Sequence, residues 1–182
     1  TAGATPHSGY QAAATNTATV TAATIAKNAD RANAVVGDDI TYTVDVTLPV
    51  NAQYYDVTAK DTIPDGLAYQ GTTSIACQSG CVSPPNAPVT FPATSNGNGT
   101  QTAGWFLGDI PVSASARVIR IVYVARVIKN RRNGGSAVLS GAALVNSATV
   151  GSNLTDKIGP TPPGLPAGPF DTSAGPVTRT VT

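Results

Sequence analysis

Residues 36–69, VGDDITYTVDVTLPVNAQYYDVTAKDTIPDGLAY, contain the two alternating runs that decide the fold. From 40 to 47, apolar and polar residues alternate strictly, which is the period of a half-buried strand. Pro49 ends this run, because proline cannot donate a hydrogen bond to a sheet. The second run, 55–61, leads into the turn Pro64-Asp65-Gly66, where proline presets φ and glycine permits a positive φ. Residues 117–128 also predict a strand, with one face formed by Ile119, Ile121, Tyr123, Ala125 and Val127.

Asp61 is the exception in the second run. Alternation places Asp61 on the same face as Tyr55, Val57 and Ala59, which is the face expected to point into the core. An unpaired charge in the core costs free energy. Asp61 is therefore the first candidate for a functional residue.

The composition indicates many short strands around a thin core. Hydrophobic residues make up 41% of the chain, but aromatics only 5% and charged residues 12%, so the apolar residues are mostly small. The 18 glycines and 14 prolines recur at the turn spacing of a sandwich. The sequence therefore predicts an all-β fold, an immunoglobulin-like antiparallel β-sandwich with extended N- and C-terminal segments.

We expect one sandwich domain over residues 19–182, preceded by an N-terminal arm. The arm, residues 1–18, is rich in Ala, Thr and Asn, and we interpret it as a strand that can be donated to a neighbouring copy. Residues 74–100 contain four prolines and predict a long irregular loop. Residues 159–169 are rich in proline and glycine, which predicts an extended, semi-rigid spacer. Residues 175–182 alternate again and predict a last strand, which is the second candidate for exchange between copies.

Several classes of function are not expected. The net charge is +1 without a long basic run, so we predict no nucleic-acid partner, and the basic cluster at 129–135 is interpreted as a solvated hairpin tip. No apolar run reaches the length of a membrane span. The only histidine, His7, lies in the arm, so we expect no enzyme active site, no cofactor and no metal. Asp38 and Asp39 are carboxylates suited to calcium, but a solvated turn explains them better.

Cysteine and methionine usage predicts an exported chain. The sequence has no methionine, which favours a processed product or a piece of a longer chain, most simply after removal of a signal peptide. We therefore predict a secreted protein located at the cell surface or in a filament. Cys77 and Cys81 predict a small disulfide loop, because the alternative, a zinc site, needs four ligands.

Three polar residues fall on faces that alternation assigns to the core. They are Lys27 on the first strand, Asp61 in the middle of the chain and Asn146 on a late strand. Each has an ordinary explanation by itself. Lys27 can extend its amine to solvent from an edge strand, Asp61 can cap its turn, and Asn146 can bond to backbone.

Together the three residues suggest a covalent reaction. A neutral lysine amine can attack the carboxamide carbon of asparagine, releasing ammonia and leaving a side-chain amide bond. Burial favours the neutral lysine and the protonated acid, and the acid can then stabilise the developing oxyanion. The hypothesis is that Lys27 and Asn146 form an isopeptide crosslink, with Asp61 as the proton-sharing acid.

Four motifs occur in a characteristic order: VGDDITYTVDV, DTIPDGLAY, GWFLGDI followed by RVIRIVYVARV, and LVNSATV. Over residues 20–182 this order resembles prokaryotic cell-surface conserved repeats and the immunoglobulin-like intramolecular isopeptide domains of Gram-positive pilins and collagen-binding-type adhesins. In that pattern the crosslinking lysine, the acid and the asparagine correspond to Lys27, Asp61 and Asn146. No Leu-Pro-x-Thr-Gly sorting motif is visible.

The resemblance implies an extracellular structural protein, a subunit or stalk module of a pilus-like surface filament or surface layer. Its partners would be copies of itself in a head-to-tail polymer. The alternative is an adhesin domain that binds a host, matrix or surface ligand through residues 74–100. The two differ in their state of assembly, since a filament subunit forms a homopolymer and an adhesin tip has a pocket or apolar patch near the loop.

Overall fold

A computed structural model describes residues 21–80 and 87–182, and these residues form nine strands and no helix. The strands are β1 (Thr24–Ala29), β2 (Asp39–Leu48), β3 (Tyr54–Ile63), β4 (Leu67–Ser79), β5 (Val89–Ser95), β6 (Gln101–Ile110), β7 (Arg117–Val127), β8 (Leu144–Asn153) and β9 (Thr172–Val181). The described ranges contain no helix of the length and apolarity that crossing a membrane requires.

The strands form two antiparallel sheets that enclose one core. One sheet has the order β1-β2-β7-β4 and the other β5-β6-β3-β8-β9. The largest fully buried side chains come from both sheets and include Trp105, Tyr42, Tyr123 and Phe106. The predicted all-β, immunoglobulin-like antiparallel sandwich is thus confirmed.

Strands β2 and β7 follow the predicted alternation and form the centre of the four-stranded sheet. The four apolar residues of the first run are fully buried, and so are the inward residues of β7 from Ile121 to Ala125. Tyr42 lies opposite Tyr123 in the register of the two strands, and their rings stack with centroids 5.3 Å apart. Buried and partly exposed residues alternate strictly here because the β2–β7 pair contains no bulge.

Strand β3 departs from the predicted alternation at its start. Tyr55, predicted on the core face, is half-buried, whereas Tyr54 and Asp56 are buried. The pairing with both neighbours shifts register between Tyr54 and Thr58, and Asp56 has φ 55°. A β-bulge places an additional residue in one strand, so the faces exchange at that point and the prediction holds only after it.

The predicted long loop at 74–100 is wrong for much of its length. Strand β4 continues through Ser79 against β7, and β5 pairs with β6. Pro92 is tolerated because β5 is an edge strand, where one side of the backbone needs no partner. Cys77 therefore lies on β4 and not in a loop, while Cys81 lies outside the described residues, so the disulfide stays a prediction. The arm at 1–18 also lies outside the described residues.

The proline-rich segment is not a free spacer. We call residues 159–171 the strap, because this segment lies across the outer face of the five-stranded sheet. Leu165 occupies the space over Gly104, and Phe170 occupies the space over Gly151, where a side chain would otherwise stand. Lys60 also donates a 2.9 Å hydrogen bond to the carbonyl of Ala167. The two glycines leave hollows in the sheet, and apolar side chains of the strap fill them.

The basic cluster at 129–135 is not simply a solvated tip. Arg131 Nη1 donates to the carbonyl of Asp65 at 2.7 Å, and the Arg132 backbone N–H donates to the Asp65 carboxylate at 2.6 Å. Arg132 Nε also donates to the carbonyl of Gly99 at 2.7 Å. Guanidinium groups have several donors in a fixed geometry, so these arginines satisfy carbonyls of the turn that follows β3 and of the turn between β5 and β6.

Candidate functional site

Lys27 enters the core from the edge of the four-stranded sheet. It lies on β1 opposite Val44 of β2, and its side chain has no exposed surface. Because β1 packs against β8 and β9, the inward-pointing side chain can reach across to the five-stranded sheet. The simple explanation that Lys27 extends its amine into solvent is therefore wrong.

Asp61 and Asn146 lie on neighbouring strands of the five-stranded sheet. Asp61 on β3 is opposite Ala148 on β8, so Asn146 is its diagonal neighbour on the same face. Both residues are fully buried. The structure thus places Lys27 on one sheet and its two predicted partners on the other.

Hydrogen bonds connect the three predicted residues through a fourth side chain. Lys27 Nζ donates to Asp61 Oδ2 and, at 2.8 Å, to the hydroxyl of Tyr123. Asn146 Nδ2 donates to the same hydroxyl at 2.6 Å. The lysine and the asparagine therefore share one partner, which holds nucleophile and carboxamide at a common point.

Besides the hydroxyl of Tyr42, two buried oxygens of the site have no hydrogen-bond partner among the described residues: Asp61 Oδ1 and Asn146 Oδ1. Buried polar atoms are usually paired, since an unsatisfied one costs free energy. Both atoms are acceptors when Asp61 is ionised, so neither can satisfy the other. Protonation of Asp61 would convert one of them into a donor.

Burial shifts the pKa of both charged groups towards the neutral forms. Desolvation lowers the pKa of Lys27, and the charge and hydrogen bond of Asp61 oppose this shift. Desolvation likewise raises the pKa of Asp61, with Lys27 opposing. The direction that burial imposes is a neutral amine beside a protonated acid, which is the state that an attacking lysine requires.

Aromatic rings surround the amine. Lys27 Nζ lies 4.8 Å from the ring centroid of Tyr42 and 5.1 Å from that of Tyr123. Trp105 and Tyr69 pack against Tyr123 with centroids 5.5 Å and 5.8 Å away. These rings keep bulk water away, which explains why desolvation dominates the pKa values of the site. Burial, followed by the charge of Asp61, also raises the pKa of Tyr123 well above its usual range.

The sequence pattern places Tyr123 on one face of the strand with Ile121 and Ala125, but it does not assign Tyr123 to the site. The available signal was a tyrosine in an otherwise aliphatic inward face, since a buried tyrosine hydroxyl usually needs a partner. The other sequence candidates lie elsewhere: Asp39 pairs with Arg126 at the sheet surface, and Asp38 accepts from the backbone of Val35.

No protein-family model and no curated protein matches this chain. Several solved structures are similar, among them the following three. A 35 kDa C-terminal fragment of the major pilin GBS80 of Streptococcus agalactiae aligns with TM-score 0.57 and 14% identity over 87% of this chain and 55% of that one. The pilus backbone RrgB of Streptococcus pneumoniae aligns with TM-score 0.53 and 15% identity over 76% of this chain and 33% of that one.

The full-length major pilin SpaD of Corynebacterium diphtheriae aligns with TM-score 0.51 and 14% identity, over 88% of this chain and 34% of that one. The chain thus spans between about a third and about half of these longer proteins. At such identity the likeness concerns architecture. The chain has the immunoglobulin-like sandwich fold found in major-pilin domains.

Proposed function

We propose that this chain is an extracellular structural module, a subunit or stalk domain of a prokaryotic surface filament, locked by an isopeptide bond between Lys27 and Asn146. The observation that carries the proposal is the buried contact of Lys27 with Asp61, with Tyr123 joining the lysine to Asn146. Burying a lysine side chain completely among aromatic rings costs free energy, and a specific role would explain why the chain keeps it there. The pilin-domain fold supports the same role.

The reaction needs no external reagent. Neutral Lys27 Nζ attacks Cγ of Asn146, and the carbonyl electrons move onto Oδ1, which receives a hydrogen bond from protonated Asp61. Asp61 then gives its own proton to the departing Nδ2, and the resulting carboxylate takes the proton that the attacking nitrogen loses. The C–N bond to Nδ2 breaks, ammonia leaves, and a secondary amide joins the two side chains. Asp61 ends in its initial protonation state, but the Lys27 amine and the Asn146 carboxamide are consumed, so the reaction occurs once in each molecule.

The bond would connect the two sheets. Lys27 lies on β1 of one sheet and Asn146 on β8 of the other. A covalent bond between them would therefore resist separation of the two sheets when force is applied along the chain. Cross-linking positions more than a hundred residues apart restricts the unfolded chain, and by analogy with disulfides this adds roughly 4–5 kcal/mol of stability. Mechanical and thermal resistance are the properties that a filament subunit requires.

Intact-mass measurement tests the crosslink. The folded protein should be lighter than its sequence by one ammonia, and Lys27→Ala, Asn146→Ala and Asp61→Ala should each restore the full mass. Lys129→Ala, which removes an exposed lysine outside the site, is the matched control and should keep the deficit. Full mass in a well-folded wild-type protein would disprove the crosslink.

Electron microscopy of the native material tests the structural role separately. We expect this chain as the repeating component of a filament or layer, with the crosslink present in each copy. Native material that contains only dispersed monomers would overturn the filament assignment without affecting the chemistry of the crosslink.

One observation favours the second candidate, an adhesin domain. A mostly apolar cavity of about 250 Å³ lies beside β4 and β6 and is lined in part by Ile75, Pro88 and Leu107. Ile75 and Pro88 belong to the segment, residues 74–100, that is predicted to bind a ligand. The cavity is smaller than most small-molecule sites, which span about 300–1,000 Å³, so the structural role remains our conclusion.

A further inference from the structure

We propose that Asp56, Asp109 and Asp156 bind a calcium ion. Asp56 lies in the bulge of β3, Asp109 near the end of β6, and Asp156 in the connection that follows β8. One carboxylate oxygen from each residue lies within 4.8 Å of those of the other two. Distances of this size allow three oxygens to surround one cation at the 2.3–2.6 Å typical of calcium.

Asp56 provides the observation that distinguishes this cluster from ordinary surface acids. Its side chain is completely buried, and its Oδ2 accepts hydrogen bonds from Asn153 Nδ2 at 2.8 Å and from the backbone N–H of Lys157 at 2.9 Å. Its Oδ1 is also buried but has no partner within the described ranges. A buried carboxylate oxygen without a partner is costly, and a cation would satisfy it.

The other two carboxylates are also oriented by backbone. Asp109 Oδ1 accepts from the N–H of Asp56 at 3.0 Å, and Asp156 Oδ1 accepts from the N–H of Gly159 at 2.9 Å. Each therefore keeps a second oxygen for a ligand. Among the ion pairs of the described residues, none involves these three acids, and the Lys157 amine pairs with Asp171 instead.

The chemistry of the donors favours calcium. All three are hard oxygen ligands, and the exposed side of the cluster at Asp156 leaves room for water to complete six to eight ligands. Magnesium demands a smaller octahedral shell and gives up its water reluctantly. The site is separate from the crosslink, since Asp56 and Asp61 are five residues apart on one strand, roughly 15 Å.

The bound ion would anchor the strap. Asp156 belongs to the chain that leads into the strap and is bonded to Gly159, the first residue of the strap, whereas Asp56 and Asp109 belong to the sheet beneath. Calcium would thus join the β3 bulge and the end of β6 to the segment before β9. We expect calcium to stabilise the fold and to protect residues 154–171 from proteolysis.

The experiment uses the complete chain, stripped with a chelator and titrated with calcium chloride. Extracellular calcium modules bind with dissociation constants of about 0.1–1 mM, so about 10 mM calcium should raise the Tm by roughly 3–10 °C. Asp156→Asn should abolish both this shift and the protection of the strap. Asp39→Asn, which removes the same charge from an exposed pair on the other sheet, should retain them.

Three results would overturn the site: no calcium response in the wild type, an equal loss of response in Asp39→Asn, or an equal Tm shift with magnesium chloride. Asp156→Asn should still lose one ammonia by intact mass if the crosslink forms in the wild type. That measurement separates failure of the calcium site from failure of the crosslink.

Discussion

The hydroxyl of Tyr123 is the point at which the two predicted crosslinking residues meet. It accepts one hydrogen bond from Lys27 and one from Asn146, and its ring is held by Tyr42, Tyr69 and Trp105. A rigid aromatic anchor can fix the carboxamide while the amine approaches. We therefore regard Tyr123 as a positioning residue for the proposed reaction.

Tyr123→Phe tests this role. The ring packing remains, but the shared hydroxyl is lost, so the crosslink should form about 10- to 100-fold more slowly. The measurement is intact mass against time after cell-free synthesis, which follows the loss of ammonia in newly folded chains. Tyr69→Phe, which removes the hydroxyl of a neighbouring ring, is the control, and equal rates in both variants would exclude a positioning role.

The free energy of unfolding of the Lys27→Met variant should depend on pH. Burial already raises the pKa of Asp61 above 3.8, and the substitution removes the lysine that opposes this rise. From about pH 4 up to the raised pKa, the folded chain holds a proton that the unfolded chain releases, so the free energy of unfolding falls as the pH rises.

Denaturant midpoints of Lys27→Met should therefore fall as the pH rises above about 4. The double variant Lys27→Met/Asp61→Asn should have a flatter profile, because it lacks the titrating acid. Parallel profiles for the two variants would show that Asp61 does not titrate in this way.

At the scale of elements, the strap and the β3 bulge complete the sandwich. The strap covers the outer face of the five-stranded sheet, which would otherwise expose hollows at two glycines, and the bulge turns Asp56 towards the interior. Neither feature belongs to a regular strand. Both nevertheless determine which residues of β3, β6 and β8 are buried.

Gly151→Ala tests the packing of the strap. A Cβ at this position would collide with the ring of Phe170, so the variant should lose about 1–3 kcal/mol of stability. Urea unfolding provides the measurement. Gly164→Ala is the matched control, because a Cβ there meets no atom within 4 Å, and a similar loss in both variants would show that the contact with Phe170 is unimportant.

At the scale of the whole molecule, the termini decide how copies could join. Strand β9 pairs with β8 of its own chain, so the interpretation of residues 175–182 as an exchanged strand is not supported. Residues 1–18 remain the candidate. Edge strands have unpaired backbone groups that can bind a strand of another chain. Strands β4 and β5 are edges of the two sheets, at the ends opposite to β1 and β9.

Deleting residues 1–18 tests this hypothesis. The arm is poor in large apolar residues, so the truncated chain should fold and keep its crosslink, but it should remain monomeric. Sedimentation and electron microscopy provide the measurements. Normal filaments from the truncated chain would contradict strand exchange through the arm.

The sequence by itself determined the all-β class, the faces of β2 and β7, and the inward direction of Lys27, Asp61 and Asn146. Alternation is a local property, so it could be detected without knowledge of the fold. It failed at Tyr55, because a bulge inverts the faces and leaves no clear trace in the local pattern.

Only the tertiary structure decided that Lys27 reaches Asp61 across the two sheets, and that Tyr123 joins it to Asn146. The same holds for Asp56, Asp109 and Asp156. They are far apart in sequence and meet where the β3 bulge, the end of β6 and the connection after β8 come together. These contacts depend on register and on the packing of one sheet against the other, which join residues about a hundred positions apart. Local periodicity carries no information about contacts between distant strands. The inward direction of Lys27, Asp61 and Asn146 was enough to propose the site from the sequence. The assignment of Tyr123 to the site required the contacts themselves.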